Sequence, residues 1–238
     1  MAEYESIHGT RVRYLTSDPT LDSSTEGQVW YNSTSGTNKA LVQIKAWSSS
    51  GNMNTARMSM ASSGIQTLAL AAGGNGGPPF NSDASEEYNG FTWTEGNNLT
   101  TGRRDIAGTG TQTASLAFGG QSPETAKTEE YDGSSWSEQN DMPATGLQMA
   151  GAGTQTAGLG FGGYKPGSPS GNNVTYEYDG TNWTAGGSLS TGRRNSGGFG
   201  IQTAAVACGG QDGSALNATE EYDGSSWTTG GALNTGRR

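Results

Sequence analysis

Residues 107–136 read AGTGTQTASLAFGGQSPETAKTEEYDGSSW, and this stretch decides the fold of the chain around it. Its first half mixes glycine with small and β-branched residues, breaks at Gln112-Thr113 and ends on Gly119-Gly120. Glycine is a poor helix former and each half is too short for a stable helix. The segment therefore reads as two strands, Arg104 to Thr111 and Thr113 to Phe118. Its second half, Lys127 to Tyr131 and Ser134 to Ser137, flanks Asp132-Gly133, and a two-residue Asp-Gly loop favours a type I′ hairpin. That register predicts Tyr131 opposite Ser134 and Glu129 opposite Trp136. Tyr131 and Trp136 then share one face and pack diagonally, while Glu130 turns to the other.

Self-similarity carries this four-strand unit along the chain. Trp47, Trp93, Trp136, Trp183 and Trp227 are spaced by 46, 43, 47 and 44 residues. Between them recur Gln-Thr pairs (Gln66-Thr67, Gln112-Thr113, Gln155-Thr156, Gln202-Thr203) and double glycines (Gly73-Gly74, Gly119-Gly120, Gly162-Gly163, Gly209-Gly210). A Glu-Tyr-Asn/Asp-Gly motif follows at Glu87, Glu130, Glu177 and Glu221. Most units open on arginine, at Arg57, Arg103-Arg104, Arg193-Arg194 and Arg237-Arg238, whereas the one near Gly146 reads DMPATGLQ. The stretches Gly74 to Glu87, Gly120 to Glu130, Gly163 to Glu177 and Gly210 to Glu221 differ in length. With those stretches taken out, the four Trp-to-Trp spacings become identical. All length variation thus falls in one segment, as in a fixed scaffold with one permissive loop per repeat.

A period in the mid-forties with four strands per unit is the signature of a β-propeller. Inner strands converge and need small residues; outer strands diverge and need bulk, which Tyr and Trp supply. The expected fold is all-β: a propeller of four-stranded antiparallel blades over residues 47–238, with units at about 47–93, 93–136, 136–183 and 183–227 and a partial one at 227–238. Residues 1–46 differ and read as a small β-hairpin segment, with Gln28 to Asn32 and Ala40 to Trp47 as strands around a Ser33 to Asn38 loop. Trp47 to Arg57 and Trp227 to Arg237 match in spacing, so the chain enters late in one blade. Either four blades close with the N-terminal hairpin completing the ring, or further blades follow Arg238. The sequence favours continuation, since an inner strand begun at Gly236 is otherwise left unmade.

Composition narrows the function. Only 15% of residues are charged and 40 of 238 are glycine, against roughly 25% charged in an average domain. The net charge is −9, which argues against a nucleic-acid surface. No stretch approaches the ~20 apolar residues of a membrane span, and the polar N-terminus is unlike a signal peptide. One cysteine, Cys208, gives no disulfide framework; it occupies the slot of Phe118 and Phe161 and reads as a small core filler. One histidine, His8, gives no histidine metal site or triad in the repeats. No catalytic residues, metal or cofactor are expected. The adjacent carboxylates Glu86-Glu87, Glu129-Glu130 and Glu220-Glu221 face opposite ways on a strand, so they do not flank one scissile bond. The arginines read as blade-entrance residues bonded to carbonyls or to a hairpin Glu, or else as an anion site. Asp212-Gly213-Ser214 hints at calcium but reads as a turn.

Double glycine, variable loop, Glu-Tyr-Asp-Gly, Trp and a polar run to Arg resemble the kelch repeat over residues 47–238. The DMPATG segment resembles the Met-Pro stretch between kelch blades, although the Tyr-to-Trp separation of 5 is shorter than in most. The Gly-Thr-Gln-Thr-Ala…Phe-Gly-Gly and YDGSSW forms are similar to repeats of bacteriophage virion and tail-fibre proteins, notably marine ones. Gly27-Gln28-Val29-Trp30-Tyr31-Asn32 is similar to the leader of phage tail proteins. The resemblance implies a virion appendage made in the host cytoplasm, attached to other virion tail proteins through residues 1–46, often as a homo-oligomer. It implies a host-surface glycan or protein receptor as partner. The variable loops, Asn75 to Ser85, Gln121 to Thr128, Tyr164 to Val174 and Gln211 to Ala218, emerge together in a propeller. Their aromatic and polar side chains are the candidate ligand-binding residues: Phe80, Asn81, Asp83, Gln121, Tyr164, Lys165, Asn172, Gln211 and Asp212. A purely structural brace is the alternative, with a polysaccharide-acting enzyme a distant third.

Overall fold

The computed structural model describes residues 13–18, 29–40, 49–121, 123–164, 166–167 and 170–238. His8, Trp47, Lys165 and the expected strand beyond Ala40 lie outside them. The chain divides into two units, Met1–Ser49 and Ser50–Arg238.

In the first unit β1 (Arg13–Leu15) runs parallel to β2 (Val29–Asn32), which pairs antiparallel with β3 (Thr37–Ala40). The hairpin loop is shorter than expected, and its second strand starts at Thr37 rather than Ala40. The reason is local: Asn32 Oδ1 accepts the Thr34 and Ser35 N–H groups, each at 3.0 Å, and turns the chain at once. Asp18 accepts from Lys39 Nζ, Asn32 Nδ2 and Trp30 Nε1 at 2.6, 2.7 and 3.0 Å. Those hydrogen bonds, that of Lys39 first, hold its carboxyl down at about 2.

The second unit is four antiparallel sheets of four strands each, in simple meander order. Blade one is β4 (Ala61–Ile65), β5 (Leu68–Ala72), β6 (Ser85–Tyr88) and β7 (Trp93–Glu95). Blade two is β8 (Ala107–Thr111), β9 (Ala114–Phe118), β10 (Thr128–Tyr131) and β11 (Trp136–Gln139). Blade three is β12 (Ala150–Gly153), β13 (Gly158–Phe161), β14 (Thr175–Tyr178) and β15 (Trp183–Ala185). Blade four is β16 (Gly197–Ile201), β17 (Ala204–Cys208), β18 (Thr219–Tyr222) and β19 (Trp227–Thr229). The first strands lie side by side, β4 on β8, β8 on β12 and β12 on β16; among the described residues no comparable packing joins β16 to β4. The architecture is all-β and propeller-like.

The outer hairpin corrects the expected register. Tyr131 pairs with Trp136, Glu130 with Ser137 and Glu129 with Glu138, so the loop runs from Asp132 to Ser135 and is not Asp-Gly alone. Asp132 Oδ1 accepts both the Ser134 and Ser135 N–H groups at 2.8 Å, and Asp132 N–H donates to the Ser135 carbonyl at 3.2 Å. This side-chain closure stabilises the longer turn over the type I′ alternative, and these hydrogen bonds lower the Asp132 pKa. Asp179 and Asp223 do the same in blades three and four. Tyrosine and tryptophan still share a face, directly opposite each other, with ring centroids 5.0, 5.0, 5.0 and 4.9 Å apart in the four blades.

Each blade after the first presents that aromatic pair to the blade before it. Tyr131 and Trp136 pack on Ala61, Leu70 and Ala72; Tyr178 and Trp183 on Ala107, Leu116 and Phe118; Tyr222 and Trp227 on Ala150, Ala152, Leu159 and Phe161. Hydrogen bonds repeat with the packing. The hydroxyls of Tyr131, Tyr178 and Tyr222 donate to Glu87, Glu130 and Glu177 of the preceding blade. Gln112, Gln155 and Gln202 each donate from Nε2 to two carbonyls of that blade, at 2.7–3.2 Å. The Gln-Thr pairs of blades two, three and four are therefore inter-blade clamps.

Burial and the neighbouring carboxylate Glu177 push the Tyr222 phenol up to about 12, from an ordinary value of 10.0. Tyr131 and Tyr178 shift the same way, by burial first and then by Glu87 and Glu130. A phenol raised in the fold contributes stability that is complete below the unfolded value and lost as pH climbs through the folded one. Stability is thus expected to hold to about pH 10 and fall steeply toward pH 12, with at least three of the nine tyrosines ionising only as the blades separate. Ultraviolet tyrosinate titration alongside circular dichroism checks it; nine phenols titrating freely before the fold is lost contradict it.

Candidate functional site

The variable loops follow the second strand of every blade and so share one end of the array. There each loop is stitched to the connector entering its own blade. Met58 bridges Asn75, Arg104 bridges Gln121 and Arg194 bridges Gln211, while Tyr164 N–H donates to the Leu147 carbonyl at 2.8 Å. The double glycines set the start of the loop by backbone geometry: φ is +67° at Gly119 and +106° at Gly120. A Cβ on Gly119 also falls 2.1 Å from the Gly146 carbonyl oxygen, so only glycine fits.

The arginine pairs split into two jobs, because adjacent residues point to opposite sides. The first arginine goes inward. Arg193 donates to Glu220 at 2.6 Å and to the Gly209 and Ala218 carbonyls at 3.1 and 2.9 Å. Arg57 does the same with Glu86 at 2.5 Å, and Arg103 with Glu129. Arg103, Arg193, Glu86, Glu129 and Glu220 are all fully or almost fully buried. The other carboxylate oxygen accepts the backbone N–H of Asn54, Thr100 or Ser190 at 2.7 Å. The backbone of Arg103 meanwhile bonds the preceding blade, through Ser82 and Gly74. Arg193 is bonded in the same way to Asn172 and Gly163, so Arg103 and Arg193 are staples between blades, whereas Arg57 bonds within blade one; the expected scaffold role of these arginines and of the Glu-Glu pairs holds in this geometry.

Blade three lacks both partners and shows why. Gly146 stands in the arginine slot and Tyr176 in the glutamate slot; Met142 and Met149 fill the space, with Tyr176 packed against their cluster. A Cβ on Gly146 would lie 2.3 Å from Met149 Sδ. A buried ion pair and an apolar cluster are interchangeable solutions here.

The second arginine faces the loop rim. Arg104 donates to Gln121 Oε1 at 3.2 Å, and Arg238 to Gln211 Oε1 at 3.1 Å. The Arg194 guanidinium carbon lies 5.3 Å from the ring centroid of Tyr164, within cation–π range. Of the candidates read from the sequence, Gln121, Tyr164 and Gln211 are brought into one repeated position beside these arginines. Phe80 is half exposed in its loop. Asp83 is exposed, and its carbonyl accepts from Leu99 N–H at 2.8 Å. Asn172 is tied down through its backbone to Gly163 and Arg193. Asp212 Oδ1 accepts from Ser214 within its own turn at 3.5 Å. Asn81 is half-buried, which makes it a loop-shaping residue more than a contact. Arg104 and Arg194 were not among the sequence candidates, yet they are charged groups of the rim. A cleft of about 190 Å³ lies at the opposite end, between the inner hairpin tips, lined by Ile65, Leu68 and Thr111 to Thr113.

No protein-family model matches the chain, and comparison with curated proteins gives no match.

Proposed function

We propose that this protein is a bacteriophage virion appendage, tail-fibre-like, whose kelch-like blades present their variable loops to a host-surface glycan or protein. One observation carries the reading: every insertion and deletion falls in the loop at one end of each blade, while the remainder of each unit keeps a fixed length. At that end Tyr164 over Arg194, and Gln121 and Gln211 beside arginines, offer a ring face and hydrogen-bonding groups. Such groups suit sugar hydroxyls and acidic sugars. Residues 1–46 would join the propeller to other tail proteins.

The test is binding to glycan arrays and host cells. Shortening the Tyr164–Val174 loop to the length of the Gln121–Thr128 loop is expected to lower binding at least tenfold, and Tyr164→Ala to weaken it by a comparable factor. Equal binding by intact and trimmed proteins overturns the proposal and leaves a structural brace as the better reading.

A further inference from the structure

The entrances to blades two, three and four carry Arg104, Leu147 and Arg194 at one equivalent rim position, and the three junctions use it differently. Arg104 donates to Gln121 Oε1 at 3.2 Å and lies 3.8 Å from the Asp105 carboxylate. Leu147 is buried and brings no charge. Among the described residues Arg194 forms neither an ion pair nor a side-chain hydrogen bond. Its cross-strand partner Gln211 accepts instead from Arg238 Nη1 at 3.1 Å. The Arg194 guanidinium carbon lies 5.3 Å from the ring centroid of Tyr164, a residue of the preceding blade, and both side chains are half-buried. The loop that Tyr164 opens is the longest of the four, and it returns to bridge Arg193 through Asn172.

Beneath the rim the third junction also differs. At the first, Ile106 fills the space under the double glycine of blade one: a Cβ on Gly73 would fall 2.4 Å from its Cδ1. Met149 holds the equivalent place in blade three and packs with Met142. Blade four has Ser196 there, with its Oγ buried and unpartnered, and Arg194 Nε and Gln148 Oε1 are in the same condition. The Asn195 N–H, between Arg194 and Ser196, donates to the Gln148 carbonyl at 3.1 Å, so the three groups come from two adjoining backbone segments. Buried polar groups without partners are uncommon and costly. Three of them beside an unpaired guanidinium break the packing rule that the other two junctions keep, as functional sites do.

We infer, resting on the receptor-binding reading above, that Arg194 is the specificity-determining residue of the rim and selects a sugar that carries a carboxylate. A guanidinium presents parallel N–H groups in a plane, matched to the two oxygens of a carboxylate. The Tyr164 ring fixes that plane by its cation–π contact and supplies the apolar surface beside it for the sugar ring. Half-burial between two blades shields the charge pair from part of the screening that weakens exposed pairs. The net charge of −9 opposes any diffuse attraction for an acidic polymer, so a preference for acid comes from a fixed local donor. Arg104 and Arg238, already bonded to glutamines, do not supply one.

The test is binding of the 238-residue chain to three sets of immobilised probes: uronic-acid-containing oligosaccharides, the same oligosaccharides with their carboxyls reduced to alcohols, and sulfated oligosaccharides. The expected result is binding to the uronic acids at least about tenfold tighter than to their reduced forms. In Arg194→Gln that preference shrinks to under about threefold, and Arg194→Lys, which keeps the charge without the fork, restores only part of it. Circular dichroism of both variants is expected to match the parent. Equal or weaker binding to the carboxylated probes overturns the inference and leaves the receptor-binding reading standing. So does a preference that survives in Arg194→Gln, binding to the sulfated probes alone, or binding to host cells without binding to any glycan. A chain that binds neither glycans nor host cells overturns both.

Discussion

Replacing Glu129 with alanine is expected to destabilise the second blade by about 3–5 kcal/mol, a large share of a typical folding free energy. The carboxylate is fully buried, one oxygen bonded to the Arg103 guanidinium and the other to the Thr100 N–H at 2.7 Å. Without it a buried cation and a backbone donor both lose their partner. The loss measures the stranded charge and not the worth of the pair, which blade three makes testable because it dispenses with the pair altogether. Changing both residues, Arg103→Met with Glu129→Leu, is expected to recover most of the loss, since apolar groups of similar volume fill such a site without a desolvation penalty. Urea unfolding midpoints of the parent, single and double variants check it. A double variant as unstable as Glu129→Ala shows that the carbonyl bonds of the guanidinium, and not its charge balance, hold the blade.

The repeat arithmetic made the blades legible: fixed spacing located every strand pair and put all four aromatic pairs on one face. The hairpin register was not legible from Asp-Gly alone, because the decisive interaction is the Asp132 side chain reaching the Ser134 and Ser135 N–H groups. A serine or threonine after the glycine was the available sign of it. The third strand of the N-terminal sheet, β1, is not legible in the sequence because a parallel partner so short leaves no periodicity to read. At the rim, length variation pointed to the loops that hold Gln121, Tyr164 and Gln211, which lie beside arginines. The anion-site alternative for the arginine pairs does not separate Arg104 and Arg194 from Arg103 and Arg193, although alternation along an extended chain sends the two residues of a pair to opposite sides.

Phe161→Ala is expected to cost about 3–5 kcal/mol, the range for emptying a buried aromatic site, and to release blade four before the rest. The ring is fully buried, its centroid 4.8 Å from that of Trp227, and it joins Leu159, Ala205 and Tyr222 in the cluster that holds the last junction. In a linear array each blade contacts only its neighbours, so stability is lost locally and not all at once. Hydrogen exchange is therefore expected to accelerate in residues 197–229 while blades one and two keep their protection. The matching substitution one blade later, Cys208→Ala, is expected to change stability by under about 1 kcal/mol in dilute solution. The same slot, filled by a smaller side chain, there faces an uncovered edge. A small effect at Phe161 would deny that aromatic wedging joins the blades. A large one at Cys208 in dilute solution would mean that the last face is already covered within the single chain.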